Sequence, residues 1–238
     1  MSTPLDNLVY CLGLNEASGN AIDASGNGKT FTQQGIVPAA TGKISGARGP
    51  FTQANYFSRA MDSDMRLVGG SMAWSCWVKR TADAEAIAFK TNDVEYLLYV
   101  DTVNTGPMLE TGLGGQTWAT WPTRLTVGEW HWIFAYVDLP SLKMGISVNN
   151  AAPVEVSVPA SPVWAFGTTL RVGGGYPNGD NVAMEQLCYW RGRIPEQVER
   201  DGLYNGGAAV TFDAFGQINA PATSRLRMDH RYLRPRVR

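Results

Sequence analysis

Apolar and polar residues alternate with a period of two along most of this chain. In "SMAWSCWVK" (71–79) Met72, Trp74, Cys76 and Val78 fall on one side, with Ser75, Trp77 and Lys79 on the other, which predicts a strand with one well-buried face. In "GEWHWIFAYVD" (128–138) Trp130, Trp132, Phe134 and Tyr136 share one side and His131, Ile133, Ala135 and Val137 the other. Both sides are largely apolar, so this strand is expected to be central in its sheet and covered twice. Further strand-like runs lie near residues 8, 29, 54, 86, 95, 106, 142, 169 and 183, separated by Gly, Asn, Asp and Pro. Strands recurring at this spacing predict an all-β fold, a two-sheet antiparallel sandwich or jelly roll.

One short helix is expected near 195–204 in "IPEQVERDGLYNGG", with Pro195 suited to the first turn, glutamates near its start and Gly206 beyond its end. The alternation stops after Phe215, and "GQINAPATS" has the composition of a linker. The predicted organisation is a domain over 1–216, then a linker and C-terminal arm over 217–238.

Composition supports this reading. With 44% hydrophobic residues, eight tryptophans and 26 glycines in 238 residues, the chain can bury a large core, and 17% charged residues is low for a helical protein. No basic segment followed by an apolar run opens the chain, so neither a signal peptide nor a membrane span is expected, which implies synthesis and first folding in a cytoplasm. Cys11, Cys76 and Cys188 are far apart, odd in number and set in apolar runs. That pattern predicts buried thiols rather than a zinc site or a disulfide framework.

Charge divides the chain in two. Of 20 basic and 21 acidic residues, the last fourteen positions, "RLRMDHRYLRPRVR", hold six arginines and one aspartate, leaving 14 basic and 20 acidic in the remainder. Arg225, Arg227, Arg231, Arg234, Arg236 and Arg238, with Tyr232, therefore form a basic segment on an acidic body. Such a segment suits an acidic protein groove or a neighbour's sheet edge, engaged through charge-assisted hydrogen bonds. Nucleic acid is disfavoured as its partner, because the acidic body opposes approach to a polyanion.

Four stretches, 8–35, 128–138, 144–150 and 170–207, resemble the laminin-G-like jelly roll of the concanavalin A-like lectin and glucanase superfamily. The likeness is carried by Asp23, Ser25, Gly26 and Gly28 in a D-x-S-G-x-G turn, by Trp130 and Asp138 bounding a central strand, and by Leu203, Tyr204, Asn205 and Gly207 after the closing strand. The resemblance implies that the first and last strands are neighbours, which would bring Cys11 close to Cys188. This sequence departs from the family pattern at Glu185, in "NVAMEQL", and at "ISVNN", both at acidic or turn positions around which relatives hold calcium. The scaffold hosts lectins, hydrolases and structural modules alike.

A glucanase of this superfamily would carry its carboxylates on one strand as E-x-D-x-x-E, and no such run occurs. Asp93 and Glu95 are two apart but start a strand, and are expected to be solvated turn residues. His131 and His230 have no ligand-spaced partner, and no nucleophile elbow or phosphate loop is present. No enzymatic activity is therefore expected. Calcium, if bound, would use Asp23 with Asn15 or Glu16 and turn carbonyls, although an aspartate before Ser-Gly also closes an Asx-turn by itself. For a glycan, "GGQTWATWPTR" offers Trp118 and Trp121 beside Gln116 and Arg124; a spacing of three puts the two indoles on opposite faces of an extended chain. The expected function is a structural or binding module of a multi-subunit, oligomeric assembly, resembling head-decoration or fibre proteins of bacteriophage particles and attached through the arm. The alternative is a lectin-like carbohydrate-binding domain.

Overall fold

A computed structural model describes residues 2–67, 69–83, 86–91, 95–101, 106–112, 117–159, 168–174 and 181–218. Within them the chain forms two antiparallel sheets packed face to face. The first sheet runs β13 (Val154–Ser157), β12 (Lys143–Val148), β11 (Trp130–Asp138), β6 (Ser71–Arg80), β15 (Val182–Arg191), β4 (Gly46–Arg48) and β3 (Ala39–Thr41). β1 (Leu8–Leu12) also pairs with β15. The second runs β10 (Thr117–Thr120), β9 (Met108–Thr111), β8 (Tyr96–Asp101), β7 (Ala86–Thr91), β14 (Thr169–Val172), β5 (Tyr56–Ala60) and β2 (Thr32–Gln34). The all-β sandwich expected from the alternation is thus the observed fold. No helix among the described residues is long and apolar enough to cross a membrane.

The space between the sheets is filled from both sides by the inward half of each alternation. Trp74 is its centre: the indole lies 4.9 Å from the Tyr96 ring, 5.5 Å from Phe89 and 5.4 Å from Tyr189. Offset aromatic contacts of this kind add to the area that each ring removes from water. On β11, Ile133, Ala135 and Val137 join this core, as expected of a strand covered twice.

The expectation of one well-buried face for residues 71–79 needs correction. Ala73 and Trp77 are buried on the other face of β6, in a second cluster with Trp132, Phe134 and Tyr136 of β11. What covers them comes from the end of the domain. Helix α1 (Gln197–Tyr204) lays Leu203 on this face, and the Tyr204 ring stacks on Trp77 at 5.9 Å and sits tilted against Trp132 at 5.9 Å. Asn205 then takes the left-handed conformation (φ 49°) that ends the helix, a role asparagine fills at little cost. The Leu-Tyr-Asn-x-Gly stretch is therefore a packing and capping device. A 3-10 turn over Phe212–Gln217 follows, and Ile218 is buried in the same cluster, so tertiary packing runs two residues beyond 216.

The cysteines also differ from three buried thiols. β1 and β15 place Cys11 directly opposite Cys188, and the two are joined as a disulfide spanning 177 residues, the proximity the family resemblance implied. Cys76 remains free in the inter-sheet core, where burial raises its thiol pKa and suppresses the reactive thiolate.

Candidate functional site

The carboxylates define what this scaffold can do chemically, and four buried ones, Asp23, Glu95, Glu185 and Glu199, serve the fold. Asp23 sits where residues 23–28 turn back beneath β1. Its Oδ1 accepts the backbone N–H of Cys11 (3.0 Å) and Ser25 (2.9 Å), and its Oδ2 accepts that of Lys29 (2.9 Å). Gly26 and Gly28 supply the positive φ of the turn, 85° and 70°. Asp23 thus closes an Asx-turn and ties it to the first strand. Among the described residues no group of three or more His, Cys, Asp or Glu side chains could hold a metal ion.

Glu185 follows the same logic. β15 carries a bulge between Glu185 and Cys188, with Gln186 at φ 54°. The Glu185 side chain, 2% exposed, accepts the backbone N–H of Lys43 (2.5 Å), Ile44 (2.9 Å) and Ser45 (2.8 Å), and the Ser45 hydroxyl at 3.1 Å. Glu95 corrects the expectation of a solvated turn residue. It is fully buried, bonds the backbone N–H of Leu67 and pairs with Arg66 at 3.3 Å; Asp93 lies outside the described residues. Glu199 is also fully buried, accepting the Glu196 N–H at 2.7 Å and the Arg193 guanidinium. Sequence could not mark Glu185 and Glu95, because their donors come from segments far along the chain, whereas Glu199 closes a local capping box with Glu196.

His131 is half-buried, and burial lowers its pKa; its Nδ1 lies 3.2 Å from Asn149 Nδ2. It serves the turn between β12 and β13, where Asn149 and Asn150 hold φ of 52° and 59°.

Two surfaces among the described residues bear on the recognition readings. The first is the edge of the second sheet. Trp118 on β10 is 46% exposed and stands opposite Glu110 of β9. Pairing registers carry the same outward row through Leu97, Lys90, Arg171 and Ser58. Glu110 and Leu97 are buried, so the indole projects at the rim rather than beginning a continuous platform. Trp121 lies on the other side: it packs against the inter-sheet core, and its backbone N–H donates to the Pro107 carbonyl at 2.8 Å. Arg124 is held by Asp83 at 2.8 Å, and Gln116 lies outside the described residues.

The second surface is a pocket of about 410 Å³ beside the bulge of β15. Ile22, Ile44 and Phe212 form apolar walls, while Glu16, Glu185 and Asp213 are its acids. Asn15 and Glu16, considered with Asp23 for calcium, line this pocket, and Asp23 does not. Glu16 Oε1 accepts the Ile22 N–H at 2.7 Å, whereas Oε2 is buried without a hydrogen-bond partner. The seven residues of the basic arm, Arg225, Arg227, Arg231, Tyr232, Arg234, Arg236 and Arg238, lie outside the described residues.

No protein-family model matches this chain, and no curated protein matches it. Solved structures do. The binding domain of Paraclostridial mosquitocidal protein 1 aligns with a TM-score of 0.70 at 15% identity, over 85% of this chain and 53% of that one. The binding domain of botulinum neurotoxin DC, solved in complex with rat synaptotagmin II, gives 0.67 at 11% identity, over 84% and 52%. A structure from work on botulinum neurotoxin type C, whose cell entry depends on interaction with two ganglioside molecules, gives 0.65 at 10% identity, over 87% and 52%. The chain thus spans about half the length of these structures, and at such identities the likeness establishes the β-sandwich fold alone.

Proposed function

We propose that this chain is a non-catalytic binding module within a multi-subunit assembly, its sandwich forming an inert body and its 225–238 segment the attachment. The observation that carries the reading is the use of its buried acids. Asp23, Glu95, Glu185 and Glu199 each accept backbone N–H groups of the fold, Glu95 also holding Arg66 and Glu199 also holding Arg193 and the Ser2 hydroxyl. Glycoside hydrolysis would need a protonated and an ionised carboxyl facing one bond, both free to act on it. The fold shared with toxin binding domains supports recognition over catalysis. The basic segment supplies the specificity: six arginines in fourteen residues oppose a body that is acidic in sum. In its most specific form, the reading is a bacteriophage virion protein, a head-decoration or fibre component, which rests on sequence alone.

A second reading is favoured by one feature, the exposed Trp118 on an edge strand, an apolar face on which a sugar ring could stack. Among the solved neighbours, cell entry of botulinum neurotoxin type C depends on interaction with two ganglioside molecules, and the binding domain of botulinum neurotoxin DC is also solved in complex with SialylT. A glycan array separates the readings. Under the assembly reading, wild type and Trp118→Ala give the same background signal; a glycan retained by wild type and lost in Trp118→Ala would move the function to the β10 edge.

A further inference from the structure

The outer face of the first sheet carries a pocket of about 290 Å³ where β11, β12 and β13 meet helix α1. Strand register builds its floor. Tyr136 of β11 stands opposite Gly145 of β12, which stands opposite Glu155 of β13. A Cβ on Gly145 would lie 2.6 Å from the Tyr136 ring, so glycine lets that ring lie across β12 until its hydroxyl donates to Glu155. Lys143 holds the same carboxylate at 2.9 Å. At the other end of the pocket Asp138 accepts the Ser71 hydroxyl at 2.7 Å and that of Ser141. An ionised carboxylate offers about four acceptor sites, and each of these two has two donors, which leaves acceptors open to further hydroxyl groups. Pro153 and Ile194 supply apolar wall.

Arg200 is the member whose charge the fold leaves unanswered. It reaches the pocket from α1 with its guanidinium 5.0 Å over the Phe134 ring and a hydrogen bond to Gln197 at 2.5 Å. Among the described residues no carboxylate lies within ion-pair distance of it, and the adjacent Asp201 is bonded to Asn150 and Gln197 instead. Arg200 is half-buried, and burial draws its pKa below the ordinary arginine value. A guanidinium matches the planar geometry of a carboxylate and binds it most strongly where water is excluded. A phosphate suits the pocket less, because the Asp138 and Glu155 charges stand in it and would repel a dianion.

We propose that this pocket binds a single acidic sugar ring, a pyranose carrying one carboxylate, with Arg200 taking the carboxylate and Asp138, Ser141 and Glu155 the ring hydroxyls. Pro153 and Ile194 face its C–H groups. Neither Trp118 nor 225–238 lines the pocket, so the inference goes beyond both readings above and gives the otherwise inert sandwich a recognition site of its own. One ring binds at about millimolar strength, too weakly to be retained on an array.

Titration of the full chain with glucuronate, glucose and propionate, followed through the amide resonances of residues 138–143 and 200, tests this. Glucuronate is expected to shift these resonances with a dissociation constant on the order of 1 mM, and glucose and propionate to bind at least about tenfold more weakly. Arg200→Gln should remove the preference for glucuronate over glucose, and Arg200→Lys should restore part of it. Ser141→Ala, on an exposed turn, should weaken both sugars by a similar factor and keeps the test open if Arg200→Gln does not fold. Resonances unmoved by glucuronate at about 20 mM would overturn the proposal, as would a folded Arg200→Gln chain that binds it like wild type. Propionate binding as tightly as glucuronate would also overturn it, reducing the pocket to a simple carboxylate site.

Discussion

Replacing Glu185 with alanine is expected to lower the unfolding free energy by about 4 kcal/mol, because a buried donor left without an acceptor costs about 1–3 kcal/mol and several lose theirs here. Three consecutive amides, of Lys43, Ile44 and Ser45, and the Ser45 hydroxyl all point to this one side chain. Water entering through the adjoining pocket recovers part of the loss, which keeps the figure below the sum for four isolated donors. The change would remove a large share of the roughly 5–15 kcal/mol typical of a folded domain. Glu185→Gln keeps one acceptor oxygen and is expected to lose about half as much. Urea denaturation checks both: the midpoint should fall in that order with an unchanged slope, whereas equal midpoints for alanine and wild type would mean that the 43–45 loop is held by something else.

The double replacement Cys11→Ala, Cys188→Ala is expected to cost a similar amount, about 4 kcal/mol, because closing so long a loop restricts the unfolded chain strongly. The bridge ties the first strand to the last across 177 residues. Both cysteines are fully buried in the cluster that also holds Leu203 and Phe215, so loss of the bond exposes no new surface to water in the native state. At about 2–4 °C per kcal/mol for a domain of this size, the melting temperature should fall by about 8–16 °C. Thermal unfolding with and without reductant provides the internal control. Reductant should lower the wild type toward the variant and leave the variant unmoved; a variant that melts with the wild type would show that the bridge contributes nothing.

Much of the fold could be read from the alternation, because its signal is strong wherever a strand has a buried side. β6 and β11 show this, with Trp74 and Ile133 meeting in the inter-sheet core as their positions require. The signal fails where strands are short or at an edge. β3 and β4 have three residues each, too few for a period to show, and β13, "VEVS", is an edge strand exposed on one face. The outer cover of the first sheet was equally hidden: nothing near Trp77 tells that Tyr204, 127 positions later, will stack on it.

The candidate surfaces were legible in kind more than in detail. Trp118 and Trp121 were placed on opposite sides by their spacing, and the structure leaves the first exposed and packs the second. Asp23 shows why an acidic residue in a glycine-rich turn is ambiguous. The same oxygens that could hold a cation can accept three backbone N–H groups, and only the path of β1 brings the Cys11 N–H within reach. Glu95 was misjudged for a related reason, since the Leu67 amide that it accepts lies 28 residues away. The pocket between Glu16, Ile44 and Asp213 draws on segments near 16, 44 and 213, so no local pattern announces it.

The central claim, that the 225–238 arginines attach this module to a larger assembly, is tested most directly by the native mass of the species that carries the chain. The comparison is between wild type and a chain with all six arginines changed to glutamine, at low and high salt. The expected result is a multi-subunit species for wild type that dissociates as salt rises and is absent for the neutralised chain, with both chains equally folded. A chain that is monomeric in both forms, or one whose assembly survives loss of the arginines, would contradict it.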